Sequence, residues 1–445
     1  MRVLLLNIAF LFIGLQILSA QELQKITNFY DSAESMPKEV YFIANNDSSQ
    51  IEGDYKKYYE SGELLAKGSF HNGKEEGIFK MFYPTGELMR TTEFKEGNRY
   101  GKTIVYNEEG KVLQEAQFEE DTLNGKLKIY YATGNLKSES DFVNGKPEGE
   151  VLEYFPDGTL SQRIRYSNGE PNGLTERFYP NGNKKTQEEY INGKLSGPFK
   201  TFYPNGQLET VFENKGGVRS GEFKNYDKEG NLLLIGQYKN GVLEGENISY
   251  YPSGEIKAKR NYKNGNLSGE FLEYDLEGNL LTKSVYSDEA KQKYVEQFWD
   301  NGELKSEKYF KVDEPFGEWK YYNKEGELIK VENYSNGRLH GAYAEYYDDG
   351  GLKYEVNYQV GKKSGLEISY FENGEQKETT IYKFGKAHGE YIKYYDNGNV
   401  ALSGKYAGNK KIEDWKYFNK EGELIKTEVY FNDQLKETKF PEEEN

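Results

Sequence analysis

The chain contains no cysteine, and it has only three histidines, three tryptophans and four methionines among 445 residues. Without cysteine it has no disulfide, no thiolate metal site and no cysteine nucleophile. Proline is also scarce, with 11 residues against 48 glycines, which excludes a proline-rich stalk and favours many tight turns. Apolar residues make up 36% of the chain, less than an ordinary globular core uses.

Positive charge is in deficit, because 58 basic residues face 74 acidic ones and leave a formal net charge of −16. Such a chain repels phosphate backbones and anionic lipid, so we predict no nucleic acid and no anionic membrane surface as partner. Aromatic residues are abundant instead, at 15%, with 40 tyrosines and 25 phenylalanines. Disordered chains avoid aromatics, so we predict a folded protein whose interior is built from rings.

The first twenty residues have the order of a secretory signal. Met1 and Arg2 precede an apolar run from Val3 to Leu18, which is followed by Ser19 and Ala20. One positive charge, a short apolar core and a small residue before a polar start are typical of a signal peptide. We therefore predict that residues 1–20 are cleaved near Ala20, and that the protein is exported and becomes periplasmic, outer-membrane associated or secreted. The alternative is a retained membrane anchor, for which this run is near the lower length limit.

A glycine recurs every 24 residues from Gly62 to Gly422, sixteen times without an insertion. The residue four positions before it is always aromatic, from Tyr58 to Phe418. A second, nearly complete aromatic column lies eight positions after it, from Phe70 to Tyr430. A further glycine column starts at Gly53. A fixed period of this length is the signature of one supersecondary unit repeated along the chain.

Each period holds two short runs rich in β-favouring aromatics, separated by turn residues. We predict an all-β fold, an elongated single antiparallel sheet of about sixteen tandem 24-residue β-hairpin repeats, on the order of 150 Å long. Within a hairpin we predict that Tyr58 faces Leu64 and Lys56 faces Ala66, so that even-numbered positions share the packed face. The glycine columns are expected to let rings lie flat across the backbone.

The predicted organisation has four parts. They are the signal peptide at 1–20, an N-terminal capping segment at 21–52, the repeat array at 53–436 and an acidic tail at 437–445. The segment 287–317 loses part of the pattern, and it is read as a kink, a subdomain joint or a binding site.

The segment YYPSGEIKAKRNYKNGNLSG, from Tyr250 to Gly269, shows the repeat well. Its aromatic pair, Gly-x-aliphatic turn and Asn-Gly followed by a later Gly resemble the MORN repeat in its bacterial variant form. The resemblance covers about residues 53–430. It implies successive hairpins in one sheet and a binding or scaffolding function, and it extends to bacterial proteins labelled antitoxin-like. Where MORN repeats accompany an enzyme, the enzyme is a separate domain.

No constellation of residues points to catalysis. His340 and His388 occupy the same repeat position two repeats apart, about 20 Å along a sheet, which is too far to share a metal. Acidic runs such as Glu119–Asp121 lack the spacing of known calcium loops, and no carboxylate pair stands out as a glycosidase pair. We predict no enzyme activity, no catalytic residue, no metal site and no cofactor.

The turns that contain the Gly62 column come in two versions. Five begin with Asn or Asp, as at Asn107 and Asp227, whose side chain can bond its own turn backbone. The others begin with an aromatic residue, and these rings are predicted to be partly exposed and to bind a partner, with packing over neighbouring glycines as the structural alternative. The candidate residues are Tyr59, Tyr83, Tyr131, Tyr179, Tyr203, Tyr251, Trp299, Tyr347 and Tyr395, with Phe155 and Phe371 in the same column.

Two functions follow from these observations. The first is an exported, non-catalytic repeat scaffold that mediates protein–protein interaction along its sheet. The alternative is a carbohydrate or cell-envelope binding module that uses the aromatic column.

Overall fold

The computed structural model describes residues 23–287 and 291–441. The predicted signal peptide at 1–20 and the last four residues of the predicted tail lie outside these ranges. The described residues form 38 β-strands and no helix, so none of them forms a helix able to cross a membrane. The all-β prediction is confirmed.

The chain divides into two compact units, the first reaching Gly197 and including Pro204–Gly206, the second comprising Pro198–Tyr203 and the residues from Gln207 onward. The strands of the first unit are β1 (Leu23–Phe29), β2 (Pro37–Ala44), β3 (Gly53–Tyr58), β4 (Leu64–His71), β5 (Lys74–Phe82), β6 (Leu88–Lys95), β7 (Asn98–Tyr106), β8 (Val112–Glu119), β9 (Thr122–Tyr130), β10 (Leu136–Val143), β11 (Lys146–Tyr154), β12 (Leu160–Ser167), β13 (Glu170–Phe178), β14 (Lys184–Ile191) and β15 (Lys194–Leu195).

Strand β16 (Gly197–Phe202) lies almost wholly in the second unit. The other strands of that unit are β17 (Leu208–Lys215), β18 (Val218–Tyr226), β19 (Leu232–Lys239), β20 (Val242–Leu243), β21 (Gly245–Tyr250), β22 (Ile256–Lys263), β23 (Asn266–Tyr274), β24 (Leu280–Ser287), β25 (Gln292–Phe298), β26 (Leu304–Lys311), β27 (Glu314–Tyr322), β28 (Leu328–Ser335), β29 (Arg338–Leu339), β30 (Gly341–Tyr346), β31 (Leu352–Gln359), β32 (Lys362–Tyr370), β33 (Gln376–Lys383), β34 (Lys386–Tyr394), β35 (Val400–Ala407), β36 (Lys410–Phe418), β37 (Leu424–Phe431) and β38 (Gln434–Lys439).

Within each unit the strands pair antiparallel in chain order, as β3 with β4 and β4 with β5. Two kinds of turn therefore alternate along the chain. The long turns, residues 59–63 and their equivalents, connect the strands along one side of the sheet, where the strands end. The short two-residue turns, at Asn72–Gly73 and their equivalents, connect them along the opposite side. We call these the long-turn edge and the short-turn edge. The predicted capping segment contributes β1 and β2, which pair with each other, and β2 also pairs with β3.

The register inside a hairpin differs from the predicted one. Tyr58 faces Leu64 as predicted, but Ala66 faces Lys57, and Lys56 faces Lys67. The prediction that Lys56 faces Ala66 is wrong because Leu65 is an extra residue, a β-bulge, beside the long turn. Since paired residues share a face, the bulge places Leu64 and Ala66 on opposite faces, and even-numbered positions do not share one face.

The two faces that result differ in content. One face, here called the ring-packed face, carries the Phe70 column and the cross-strand rings at the Tyr55 position. Tyr55 and Phe70 have ring centroids 5.3 Å apart, and Phe79 lies 5.5 Å from Phe70, both in the edge-on arrangement that aromatic pairs prefer. The Tyr58 column lies on the other face, here called the polar face. The predicted interior of contacting rings is present, on one face of the hairpins.

The glycine columns have a different role from the predicted one. Gly62 and Gly77 have positive φ, of 96° and 76°, and no atom lies within 4 Å of the Cβ position of either. They serve a turn and a register shift, which need a left-handed backbone, and they are not platforms for rings. The rings lie instead over glycines outside both columns. Phe79 lies over Gly68, and Trp415 lies over Gly404 at the same repeat position, where a Cβ atom would be 2.5 Å and 2.3 Å from the ring.

Candidate functional site

The candidate aromatics all occupy the first position of a long turn. In the first repeat the amide of Tyr59 donates to Glu63 O at 2.8 Å, and the amide of Gly62 donates to Tyr59 O at 3.0 Å. The same two bonds recur at the equivalent positions of most repeats. The nine candidate side chains are half-buried. The structure therefore brings those of each unit into a row at its long-turn edge.

The polar end of these side chains bonds to the next repeat. Seven of the tyrosine hydroxyls donate to the backbone carbonyl 23 positions later, at 2.7 to 2.9 Å, and the Trp299 indole donates to Tyr322 O at 3.1 Å. The tyrosine pairs are Tyr59 with Phe82, Tyr83 with Tyr106, Tyr131 with Tyr154, Tyr203 with Tyr226, Tyr251 with Tyr274, Tyr347 with Tyr370 and Tyr395 with Phe418. The row joins successive repeats.

A lysine covers one face of several of these rings. It stands six positions after the ring, at the bulge, as in Lys305 over Trp299 at 4.4 Å and Lys257 over Tyr251 at 5.6 Å. The same arrangement holds at Tyr131, Tyr179, Tyr347 and Phe371. A cation in this position is attracted to the ring face, so the lysine covers that face of the ring.

Replacing Tyr251 by phenylalanine is expected to lower the free energy of unfolding by about 1 kcal/mol, because it removes one hydrogen bond and keeps the ring. The loss should appear as faster amide exchange in β21–β24, which flank the Tyr251–Tyr274 bond. Phe371, which has no hydroxyl at the same repeat position, shows that the position accepts the ring alone. Unchanged exchange in these strands would contradict the joining role.

The Asn and Asp turns behave as predicted. Asn107 Oδ1 accepts the amides of Glu109 at 3.1 Å and Lys111 at 2.8 Å, and Asp227 Oδ1 accepts those of Glu229 and Asn231. The side chain therefore closes its own turn.

Buried and half-buried carboxylates on the ring-packed face each accept bonds from several neighbouring side chains, and we call them hubs. Glu332 accepts the hydroxyls of Tyr321 at 2.8 Å and Tyr334 at 3.0 Å and pairs with Lys330 at 3.0 Å. Glu188 and Glu428 stand at the same repeat position with equivalent partners. Burial raises the pKa of Tyr334 to about 12, with the Glu332 hydrogen bond adding to it. The carboxylates and their partners satisfy one another's hydrogen bonds, so this arrangement stabilises the fold.

The histidines do not converge. His71 Nδ1 lies 2.9 Å from Glu52 Oε1, and this hydrogen bond raises the pKa of His71. His340 and His388 are exposed, each at its own short turn. Within the described ranges no three His, Asp or Glu side chains are grouped as metal ligands.

An exposed apolar pair on the polar face is a feature that the sequence analysis missed. Leu366 faces Ile381 across β32 and β33, and their residues are 50% and 37% exposed. In the next repeat the equivalent pair is Glu390 and Lys405. Comparing one repeat column with another would have found the pair, because most residues at these two positions are charged or polar.

A row of hydrogen-bonded hairpins with 24-residue spacing defines a tandem β-repeat protein. Ten stretches of the chain match the family model described as MORN repeat variant, and this chain belongs to that family. The matched residues are 51–72, 75–96, 123–144, 147–168, 171–192, 195–211, 219–240, 243–264, 339–359 and 387–407. The resemblance inferred from the sequence is confirmed. A search of curated proteins finds no match.

Several solved structures align along most of the chain at low similarity. A crystal structure of TcdB2-TccC3 aligns with 12% identity and a TM-score of 0.14, over 92% of this chain and 30% of that chain. A structure of the Photorhabdus luminescens Tc holotoxin pore aligns with 13% identity and a TM-score of 0.15, over 92% of this chain and 26% of that chain. This chain thus spans less than a third of either, and scores this low carry no functional argument.

Proposed function

We propose that this protein is a non-catalytic repeat scaffold that binds a protein partner. The observation that carries the proposal is the exposed Leu366–Ile381 pair, which stands where the next repeat places the charged residues Glu390 and Lys405. Apolar side chains that a sheet exposes on an otherwise polar face are typical of protein contact sites. The row of aromatic side chains at the long turns supports the scaffold role. Their hydroxyls bond successive repeats together, and lysines cover several of their ring faces.

The test compares two double variants of the full chain in affinity capture from the native cell envelope, with mass spectrometry as the readout. Leu366→Glu with Ile381→Lys copies the Glu390–Lys405 pair of the next repeat, so the fold should tolerate it. We expect it to lose a protein that the wild type retains. The matched control, Glu390→Gln with Lys405→Gln, should retain that protein. Equal recovery by both variants would contradict the proposed contact.

One observation favours carbohydrate binding as a second function. Tyr347, Tyr354 and Tyr370 line a shallow hollow of about 410 Å³ together with Lys353 and Glu367. Rings beside hydrogen-bonding groups are suited to a sugar. On a glycan array, binding that is lost on Tyr347→Ala and Tyr354→Ala and kept by Leu366→Glu with Ile381→Lys would favour this function over protein binding.

We further propose that the protein works after export, in the periplasm, at the outer membrane or outside the cell. The support is the composition of residues 1–20, with its single charge, apolar run and small residues before Gln21. N-terminal sequencing of the protein from its native cell should start at or near Gln21. A retained Met1 in the native protein would contradict cleavage.

A further inference from the structure

The long-turn edge of the second unit is strongly acidic. Its nine turns, from 227–231 to 419–423, hold sixteen acidic residues and three lysines. Two of these lysines are already paired, Lys324 with Asp300 at 2.9 Å and Lys420 with Asp396 at 3.0 Å. The nine turns therefore carry an excess of negative charge, and the turns 347–351 and 371–375 each hold two acidic residues and no lysine.

Part of the short-turn edge of the same unit is basic. The four turn segments 335–341, 359–365, 383–389 and 407–413 hold seven basic residues and one acid, Glu413. Glu413 pairs with Lys405 at 2.7 Å, and Lys363 pairs with Glu367. The exposed cations are Arg338, Lys362, Lys383, Lys386 and Lys410. Asp313 and Asp433, in the turns on either side, bound this basic stretch.

The two rows have the same spacing. Each advances by one turn per 24 residues, which is two strands and about 10 Å of sheet. Opposite charges with equal spacing can meet in register over several repeats, so complementarity adds up along the row. A second copy of the chain carries the complementary row at the same spacing, which makes it the partner that these charges fit.

Two short turns of the basic stretch expose an apolar side chain, here called an apolar tip, at a position where the backbone is strained. Val360 and Phe384 occupy the first position of their short turns, with φ of 50° and 52°, and are 56% and 74% exposed. Asn72 and seven further asparagines have the same turn position and similar φ elsewhere in the described residues. Asparagine tolerates this conformation, whereas a β-branched or bulky residue is strained in it. The sequence thus places apolar side chains in solvent where asparagine would fit the turn better.

We propose that the basic short-turn edge at Arg338–Lys410 docks on the acidic long-turn edge of a second copy of this protein, with Val360 and Phe384 as apolar contacts. The two surfaces lie at opposite edges of the second unit, so the contact is heterologous. In a pair, one copy still has a free acidic edge and the other a free basic edge. Further copies can therefore add at both ends, which gives an open assembly. Because exposed charges supply the attraction, salt weakens it.

The assembly is tested by mass photometry and sedimentation velocity on the full chain. At about 20 mM salt we expect dimers and larger species, and at about 500 mM we expect an apparent dissociation constant at least tenfold weaker, since the Debye length falls several-fold. The basic-edge variant carries Lys362→Glu, Lys383→Glu, Lys386→Glu and Lys410→Glu. The acidic-edge variant carries Asp348→Lys, Glu372→Lys and Glu375→Lys.

Each variant alone should be monomeric at low salt, because it lacks one of the two surfaces. An equimolar mixture should associate at low salt, because the acidic edge of one variant and the basic edge of the other are both intact. A wild type that is monomeric at low salt, or variants that still self-associate, would overturn the proposal. The control variant, Lys74→Glu with Lys146→Glu and Lys194→Glu, reverses exposed short-turn lysines of the first unit and should assemble like the wild type.

The apolar tips are tested by Val360→Asn with Phe384→Asn. This variant should unfold at a higher temperature than the wild type, because asparagine relieves the turn, and it should assemble at least threefold more weakly. Assembly at wild-type strength would overturn the assigned contact of the tips. Far-ultraviolet circular dichroism of every variant confirms that the fold is retained.

Discussion

Replacing Gly404 by alanine is expected to destabilise the repeats around it by about 3 kcal/mol, the upper range for overpacking a buried site. A Cβ atom at this position would lie 2.3 Å from the Trp415 ring, and Trp415 is only 1% exposed, so the ring has no space to move into. Amide exchange in β34–β37 should rise by more than a hundredfold, because stability in repeat proteins is the sum of local terms.

A compensating substitution separates this clash from a general intolerance of the position. In the first unit Ala116 faces Leu127 at the equivalent positions. Trp415→Leu alone should cost about 2 kcal/mol through the lost ring contacts, but Gly404→Ala with Trp415→Leu should cost less than the sum of the two changes, since it recreates the Ala116–Leu127 pair. Strict additivity in this cycle would contradict the steric account.

Some features of the fold could be predicted from the sequence and others could not. The 24-residue period, the strands and both turn types follow from residue columns, because turn residues and alternating rings leave a local signal. The identity of the packed face did not follow. It depends on a single extra residue, Leu65 in the first hairpin, and a bulge changes parity without changing the period.

The candidate site shows the same limit in another form. Tyr203 and its equivalents were correctly placed beside the long turns, but their hydroxyls donate to backbone carbonyls, which every residue has and no sequence pattern marks. The carboxylate hubs did leave a signal. Glu188, Glu332 and Glu428 each precede a tyrosine by two positions, and in a strand that spacing puts both side chains on one face.

The protein is expected to become less stable as the pH is lowered, because Glu428 loses its charge. A hydrogen bond from Lys426, followed by those from Tyr417 and Tyr430, lowers the pKa of Glu428 from 4.5 to about 2. A carboxylate whose pKa is lower in the folded state stabilises the fold fully above its unfolded pKa. The contribution is therefore present at pH 7, decreases as the pH falls below about 5, and is lost near pH 2.

Glu428→Gln removes the charge and should cost about 2 kcal/mol at pH 7, the range for hydrogen bonds to a charged group. The difference from the wild type, followed by amide exchange in β36 and β37 or by unfolding in denaturant, should shrink as the pH is lowered from 5 towards 2. Glu421→Gln, at an exposed position of the preceding long turn, is the control and should match the wild type at every pH. A Glu428→Gln deficit that stays constant between pH 7 and pH 2 would show that packing of the side chain, and not its charge, holds this hub together.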